Sequence, residues 1–227
     1  MSGHGIRFKI NPNLYLKDPQ KSEYGQKLLS NSILLLDDLG FEQFTFKKLA
    51  IAIKSTEASI YRYFENKHKL LLWLTNWYWE WVNYLIDLNI RNIDDPDRQL
   101  SIVLHNIVNA STESPLTEYI NENILHKVII KEGSKTYHIH NIDDENERGY
   151  FSSYKAVVDK VVLIFSKVSP NYPYPRMLAS SLFEMANNQI YFAEHLPRLT
   201  DITCDQDQYA ELEKALNFIT LKLLKSS

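Results

Sequence analysis

Cations, hydroxyl groups and tyrosines alternate with apolar side chains between Thr45 and Lys67. Side chains of these types bind phosphate oxygens and the edges of bases. The set consists of Lys47, Lys48, Lys54, Ser59, Tyr61, Arg62, Tyr63 and Lys67. Their concentration in one short stretch indicates contact with double-stranded DNA.

The apolar residues of this stretch recur at helical spacing, which predicts two short helices and the start of a third. One run is Phe46, Leu49, Ala50 and Ile53, and the next is Ile60 and Phe64. Thr45, Thr56 and Asn66 stand where helix N-caps belong, because short oxygen-bearing side chains accept from the N–H groups of a first turn. The pattern predicts a helix-turn-helix whose second helix enters the major groove.

Charge is unevenly distributed along the 227 residues, whose net charge is −3. Residues 1–70 hold 11 Lys and Arg against 7 Asp and Glu, a net charge of +4, and the remainder has a net charge of −7. A basic N-terminal third suggests that this part meets a polyanion. Chance is the alternative explanation, and the motif within that third argues against it.

Composition favours a soluble, all-helical protein of the cytoplasm. The N-terminus lacks the apolar core of a signal peptide, and the apolar run from Leu70 to Trp79 is too short to span a bilayer. The single Cys204 has no internal partner for a disulfide, which suits a reducing compartment. No catalytic motif occurs, and His126, His138 and His140 lack metal-ligand spacing, so we expect no enzyme activity, metal or cofactor.

Helix signals and breaks divide the chain into four predicted parts. Residues 1–21 form an N-terminal arm, which either follows a groove of DNA or packs on its own domain. Residues 22–66 form the helix-turn-helix domain, residues 67–88 a connecting helix, and residues 89–227 a larger helical domain. Further helices are expected at 97–111, 116–130 and 147–168, with a loop at 131–149 and a proline-rich linker at 169–175.

Trp73, Trp77 and Trp81 recur four residues apart on the connecting helix. A tryptophan stripe can line a ligand site, but a helix that joins two domains must also bury apolar surface, and core packing is the favoured interpretation.

The last two helices carry narrower apolar seams with alternating spacings of three and four residues, a pattern typical of packed helices. Two such helices from each of two chains would form a four-helix bundle, which predicts a homodimer. The predicted interface consists of Leu178, Leu182, Met185, Phe192, Leu212, Leu216, Ile219 and Leu223. Packing of the two helices within one chain is the alternative.

With these residues in view, the chain resembles the tetracycline-repressor (TetR) family of bacterial regulators over residues 24–85. The match is most specific at Ile60, Tyr61, Arg62, Tyr63 and Phe64, followed by Asn66 and Lys67. The resemblance implies DNA contacts at Thr45, Lys47, Glu57, Ala58, Ser59, Tyr61, Arg62, Tyr63 and Lys67. It also places Phe46 among the contact positions, although we expect that ring in the core.

Two departures from the family pattern bear on this site. Lys54 replaces the usual glycine of the turn, which strains the backbone if its φ angle is positive. Glu57 stands where Lys or Gln is common. Its carboxylate can stabilise the N-terminus of the helix or accept a hydrogen bond from a cytosine amino group, and helix stabilisation is the favoured role.

The resemblance further implies a homodimeric repressor that binds a palindromic operator and is released by a small-molecule effector. Candidate pocket aromatics are Trp77, Trp81, Tyr119, Tyr150, Tyr154 and Phe183, for each of which an ordinary core position is the alternative. A ligand-binding or protein-interaction module that keeps the fold without sequence-specific DNA binding is the competing functional hypothesis.

Overall fold

The computed structural model describes residues 6–111, 114, 116–203 and 209–226. Over these residues the protein is all-helical and has no β-strand. The helices are α1 (Glu23–Gln43), α2 (Phe46–Ala52), α3 (Glu57–Tyr61), α4 (Lys67–Ile90), α5 (Pro96–Val108), α6 (Glu122–Glu132), α7 (Ile142–Glu147), α8 (Ser152–Val168), α9 (Pro175–His195) and α10 (Ala210–Lys225). Cys204 lies outside the described residues, and no described helix has the length and hydropathy needed to cross a membrane.

Packing groups the chain into two compact units. Unit 1 consists of Met1–Glu80 and Ser111–Ser153, and unit 2 consists of Trp81–Ala110 and Tyr154–Ser227. The arm, the helix-turn-helix and the first half of α4 therefore share a unit with α6 and α7. The boundaries predicted after residues 21, 66 and 88 separate parts with different functions rather than packing units. They therefore stay predictions.

Helix α1 begins after a capping serine and bends at a glycine. The Ser22 hydroxyl accepts from the N–H of Gly25 at 3.2 Å, as an N-cap does. Gly40 has φ +71° and ψ 163°, and the helix continues to Gln43 after this bend. A positive φ of this size favours glycine, because a Cβ would be crowded by the backbone. The bend directs the chain into α2.

The arm packs against its own unit. Gln20 bonds both the N–H and the carbonyl of Phe8 through its side-chain amide, at 3.1 and 2.8 Å. The ring of Phe8 meets that of Trp77 edge-on at 5.4 Å between centroids, and the N–H of Ile6 donates to the carbonyl of Leu116 at 2.7 Å. These contacts favour the packed arrangement of the arm over the extended one.

The segment predicted as a loop at 131–149 is largely helical. A 3₁₀ turn at Gly133–Thr136 follows α6 directly, and α7 then occupies Ile142–Glu147. Helix α6 also starts later than expected, at Glu122, because the Asn121 side chain accepts from the N–H of Ile124 at 2.9 Å and caps it there. The polar composition concealed α7, since none of its residues is buried.

Unit 2 joins α5, α9 and α10. Polar contacts between α5 and α10 tie these helices together: Ser101 with Asn217 at 2.9 Å, His105 with Glu213 at 2.9 Å and Asp97 with Lys225 at 2.5 Å. Helices α9 and α10 also pack against each other within the chain. Packing within one chain, the alternative to a dimer, therefore accounts for some of the residues in the apolar seams of these two helices.

A buried polar pair connects α4 with α6. Tyr78 Oη and His126 Nδ1 share a hydrogen bond of 2.9 Å, and both residues are at most 3% exposed. Burial lowers the pKa of His126 to about 4 from its ordinary 6.5 and raises the pKa of Tyr78. Desolvation penalises each charged form, so both side chains are neutral at pH 7.

Because His126 is buried in its neutral form, we expect the protein to lose stability in acid. Between pH 6.5 and 4 the unfolded chain binds a proton at His126 whereas the folded protein does not, so stability falls as the pH falls. We expect a loss of up to about 3 kcal/mol in the free energy of unfolding from this group by pH 4. Urea unfolding of wild type and His126→Gln between pH 7.5 and 4.5 measures it.

The variant is expected to be less stable at pH 7.5 and to lose less further stability on acidification. His140→Gln, at an exposed position of the same unit, is the matched control and should follow the wild-type pH profile. Parallel profiles for His126→Gln and wild type would contradict the assignment.

Candidate DNA-binding site

The two short helices α2 and α3 form as the N-caps predict. The Thr45 hydroxyl accepts from the N–H of Lys48 at 3.2 Å, and the Thr56 hydroxyl accepts from the N–H of Ser59 at 3.3 Å. The side chain of Asn66 accepts from the N–H of Lys69 at 2.9 Å and starts α4. All three capping predictions are confirmed.

A small apolar core holds these helices together. Phe44, Leu49, Ile60 and Phe64 are fully buried, and Phe46 is 5% exposed. The ring of Phe46 packs edge-on against the rings of Phe44 and Tyr61, with centroids 6.4 and 5.1 Å away. The expected core position of Phe46 is confirmed, and this ring fixes Tyr61 on the surface.

The outer face of the motif presents a mixed polar surface. Lys47 on α2, Glu57 and Ala58 on α3, and the following Arg62 are exposed, and Tyr61 is 48% exposed. Among the described residues no hydrogen bond engages the Tyr61 hydroxyl. Two cations, a phenol, a methyl group and a carboxylate on one short stretch can contact both phosphates and base edges.

Three other candidate residues are engaged within the protein. Tyr63 is 4% exposed, its hydroxyl bonds the Ser22 hydroxyl at 2.9 Å, and its ring stacks on Tyr24 with centroids 5.5 Å apart. The hydroxyl of Ser59 bonds that of Thr56 at 3.0 Å, and Thr45 serves as a cap.

Lys67 binds backbone rather than projecting outward. Its ammonium group donates to the carbonyls of Phe41, Glu42 and Phe44 at 2.8, 3.1 and 3.2 Å, and it lies 4.6 Å above the ring of Phe41. An ammonium group has three donors, and here each has a carbonyl partner. Lys67 therefore positions the connection between α1 and α2.

Glu132 secures the same connection from α6, a role that the sequence did not indicate. Its carboxylate accepts from the N–H of Phe41 at 3.1 Å and pairs with Lys135 at 2.7 Å. A Cβ on Gly40 would approach this carboxylate at 3.0 Å. The contact spans 91 residues of sequence, so no local pattern could have revealed it.

The candidate pocket aromatics divide between the units. In unit 1, Trp77 is fully buried, Tyr119 donates to the side chain of Gln20 at 3.0 Å, and burial raises the pKa of Tyr119 to about 12. Tyr150 is 2% exposed and bonds the ammonium group of Lys69. Trp77 and Tyr150 are built into the interior, and Tyr119 is partly buried.

In unit 2, Trp81 donates to the carbonyl of Ala110 at 3.2 Å and stacks on Tyr84. Tyr154 meets Phe183 edge-on with centroids 5.8 Å apart, and burial raises the pKa of Tyr154. Three of the six aromatics belong to each unit, and their function as one ligand site stays a prediction.

Comparison with known proteins identifies the motif. The family model described as "Bacterial regulatory proteins, tetR family" matches residues 28–74, which include α2, α3 and the start of α4. Residues 28–74 thus form a TetR-type DNA-binding domain. A TetR-family regulator binds DNA, and the exposed face of α2 and α3 lies within the matched residues.

Several solved structures share the fold of this protein. AibR in complex with isovaleryl coenzyme A and operator DNA is 17% identical, with a TM-score of 0.55 over 87% of this chain and 97% of that chain. The fatty acid degradation regulator FadR from Bacillus halodurans is 14% identical, with a TM-score of 0.62 over 88% and 96% of the two chains. Superantigen PfiT is 14% identical, with a TM-score of 0.60 over 93% and 100%. No curated protein matches the chain in sequence.

Lys54 adopts the strained conformation that its place in the turn suggested. Its φ angle is +55°, and the flanking backbone is held by hydrogen bonds from Lys54 N–H to the Ile51 carbonyl and from Ser55 N–H to the Ala50 carbonyl, at 3.1 and 2.8 Å. A left-handed conformation costs a non-glycine residue about 1–2 kcal/mol.

We therefore expect Lys54→Gly to raise the free energy of unfolding by about 0.5–1 kcal/mol, after the greater chain entropy of glycine is subtracted. Thermal or urea unfolding measures this gain. Lys54→Ala removes the same charge but keeps the Cβ, so it should show no gain. Equal stabilisation by both variants would attribute the effect to charge.

Proposed function

We propose that this protein is an effector-responsive repressor of the TetR family that binds a palindromic operator as a homodimer. The observation that carries DNA recognition is the outward face of Lys47, Glu57, Ala58, Tyr61 and Arg62 above a fully buried core. The buried core keeps these side chains in place, which base contacts require. Thr45, Ser59, Tyr63 and Lys67 support this face through caps and packing. A direct contact with DNA, which belongs to the same proposal, would require each of them to exchange its partner within the protein for DNA.

Operator binding is tested by selecting the bound fragments from total genomic DNA at about 0.15 M salt. We expect an enriched motif with two half-sites related by a two-fold axis, since dimer symmetry is mirrored in the DNA. Tyr61→Phe should weaken binding to the selected fragment by about threefold to tenfold, the value of one hydrogen bond. Tyr174→Phe, which is also exposed, is the matched control and should bind as wild type does.

Absence of any enriched sequence would favour the competing hypothesis, a ligand-binding or protein-interaction module on this fold. The observation that favours this hypothesis is the shared fold of superantigen PfiT, a protein named for a different activity.

Effector binding is supported by buried polar atoms in unit 1. Trp73 Nε1 and Asn76 Oδ1 on α4 and His126 Nε2 on α6 have no hydrogen-bond partner among the described residues. Buried polar groups normally bond protein, water or ligand. Because α6 also carries Glu132, a ligand that displaces α6 would act on the connection before α2. The complex of AibR with isovaleryl coenzyme A makes acyl thioesters of coenzyme A the first class to examine.

The dimer is supported by apolar side chains left exposed on α9 and α10. Of the predicted interface residues, Leu178, Leu182, Leu212 and Leu216 are at most 6% exposed, since their own chain covers them. The remaining members are at least partly exposed, and Phe218, which lies beside them on α10, is 65% exposed. The proposed interface therefore consists of Met185, Phe192, Phe218, Ile219 and Leu223.

Light scattering at tens of micromolar protein tests this interface. We expect wild type to be a dimer and Phe218→Glu to be a monomer, because a carboxylate would be desolvated at the contact. Leu163→Glu on α8 places the same charge at a position of equal exposure, 66%, and should remain dimeric. A monomeric wild type would contradict the homodimer.

A further inference from the structure

The arm runs beside the end of the recognition helix α3. The N–H of Leu16 donates to the carbonyl of Tyr63 at 2.8 Å, and Ser22 bonds the Tyr63 hydroxyl at 2.9 Å. Between these two anchors the Asp18 side chain caps a 3₁₀ turn at Pro19–Lys21 by accepting from the N–H of Gln20 at 3.0 Å. Residues 16–22 are thus held in a fixed position next to Tyr63.

Lys17 and Lys21 are the two exposed cations among residues 16–22. The ammonium group of Lys17 lies 5.1 Å from the centre of the Tyr63 ring. Among the described residues no carboxylate pairs with it, whereas Lys21 pairs with Asp18 at 3.4 Å. The carboxylate of Asp18, next in sequence, is already occupied by the Gln20 N–H and by Lys21. The positive charge of Lys17 is therefore available to an external anion.

Two side chains expected to contact DNA beyond the end of α3, Tyr63 and Lys67, are engaged within the protein. The Tyr63 hydroxyl bonds Ser22, and the three donors of Lys67 bond backbone carbonyls. A phosphate placed at the end of α3 would also meet the negative end of the helix dipole, which a cation offsets. Lys17 supplies that cation beside Tyr63, whose own side chain is buried.

We propose that Lys17 of the N-terminal arm contacts a phosphate of the bound DNA beside the end of α3, so that the arm is part of the DNA-binding surface. This inference rests on the proposed DNA-binding function. The contact is electrostatic and independent of base sequence, because an ammonium group bonds phosphate oxygen without distinguishing bases. The contact of Lys17 with the Tyr63 ring orients the side chain but contributes little to folding, as exposed cation–π contacts do.

The test measures binding of Lys17→Gln to a mixed-sequence 30-base-pair duplex and to a genomically selected fragment, as a function of salt. Loss of one phosphate contact lowers the slope of log affinity against log salt by about 0.9. At 0.1 M salt we expect affinity for both duplexes to fall by roughly fivefold to tenfold. Lys17→Arg retains the charge and should bind nearly as wild type does.

Lys214→Gln, an exposed charge change on α10, is the matched control for net charge. The assignment of Lys17 would be overturned if Lys17→Gln left the slope of log affinity against log salt unchanged, or if Lys214→Gln lost as much affinity as Lys17→Gln. Either result would leave the proposed DNA binding intact. Failure of wild type to bind either duplex would overturn both proposals. Thermal unfolding of each variant confirms that affinities are compared between folded proteins.

A methylphosphonate scan locates the contact. Neutralising the phosphate that Lys17 contacts should weaken wild type and leave Lys17→Gln unaffected, since the two changes remove the same interaction. If the loss of affinity from Lys17→Gln and the loss from neutralising a phosphate are additive at every phosphate, Lys17 contacts none of them.

Discussion

The short connection between α1 and α2 is the constraint on which the DNA-binding face depends. Three helix ends meet there: the C-terminus of α1, the N-terminus of α2 and the N-terminus of α4. Helix ends leave carbonyl and N–H groups without intrahelical partners. Lys67 bonds the carbonyls of Phe41, Glu42 and Phe44, and Glu132 bonds the N–H of Phe41. Charged side chains thus satisfy both kinds of backbone group, which fixes the angle at which the motif leaves α1.

Local features of the fold were predictable because their causes are local. Thr45, Thr56 and Asn66 cap within three residues of themselves, and Gly40 bends α1 because of its own φ angle. The apolar spacing that buries Leu49, Ile60 and Phe64 likewise needs only a helical period. These features were sufficient to place the candidate site on α2 and α3.

The chemical state of individual site residues depends on distant parts of the chain. Tyr63 and Ser22 are 41 residues apart, and Phe41 and Glu132 are 91 apart. From sequence, Tyr63 and Lys67 were equivalent to the exposed Tyr61 and Arg62, since side-chain type does not reveal which partner a donor will have. Helix α7 was hidden for a similar reason: with no buried residue, it lacks an apolar period. Tertiary contacts, rather than residue type, separate the side chains that face outward from those that hold the motif.

The free energy of the hydrogen bonds at the α1–α2 connection has the magnitude that allosteric regulation requires. Coupling between two ligand sites in proteins is typically about 1–3 kcal/mol, and an effector can shift the equilibrium only by its differential affinity for the two states. One hydrogen bond to a charged group contributes about 1.5–3 kcal/mol. In the proposed repressor, loss of the single bond between Glu132 and Phe41 would therefore match the whole coupling energy, while the three bonds of Lys67 would keep the motif folded. A displacement of α6 by a few tenths of an ångström to one ångström is enough to break such a bond, because its strength falls steeply with distance and angle.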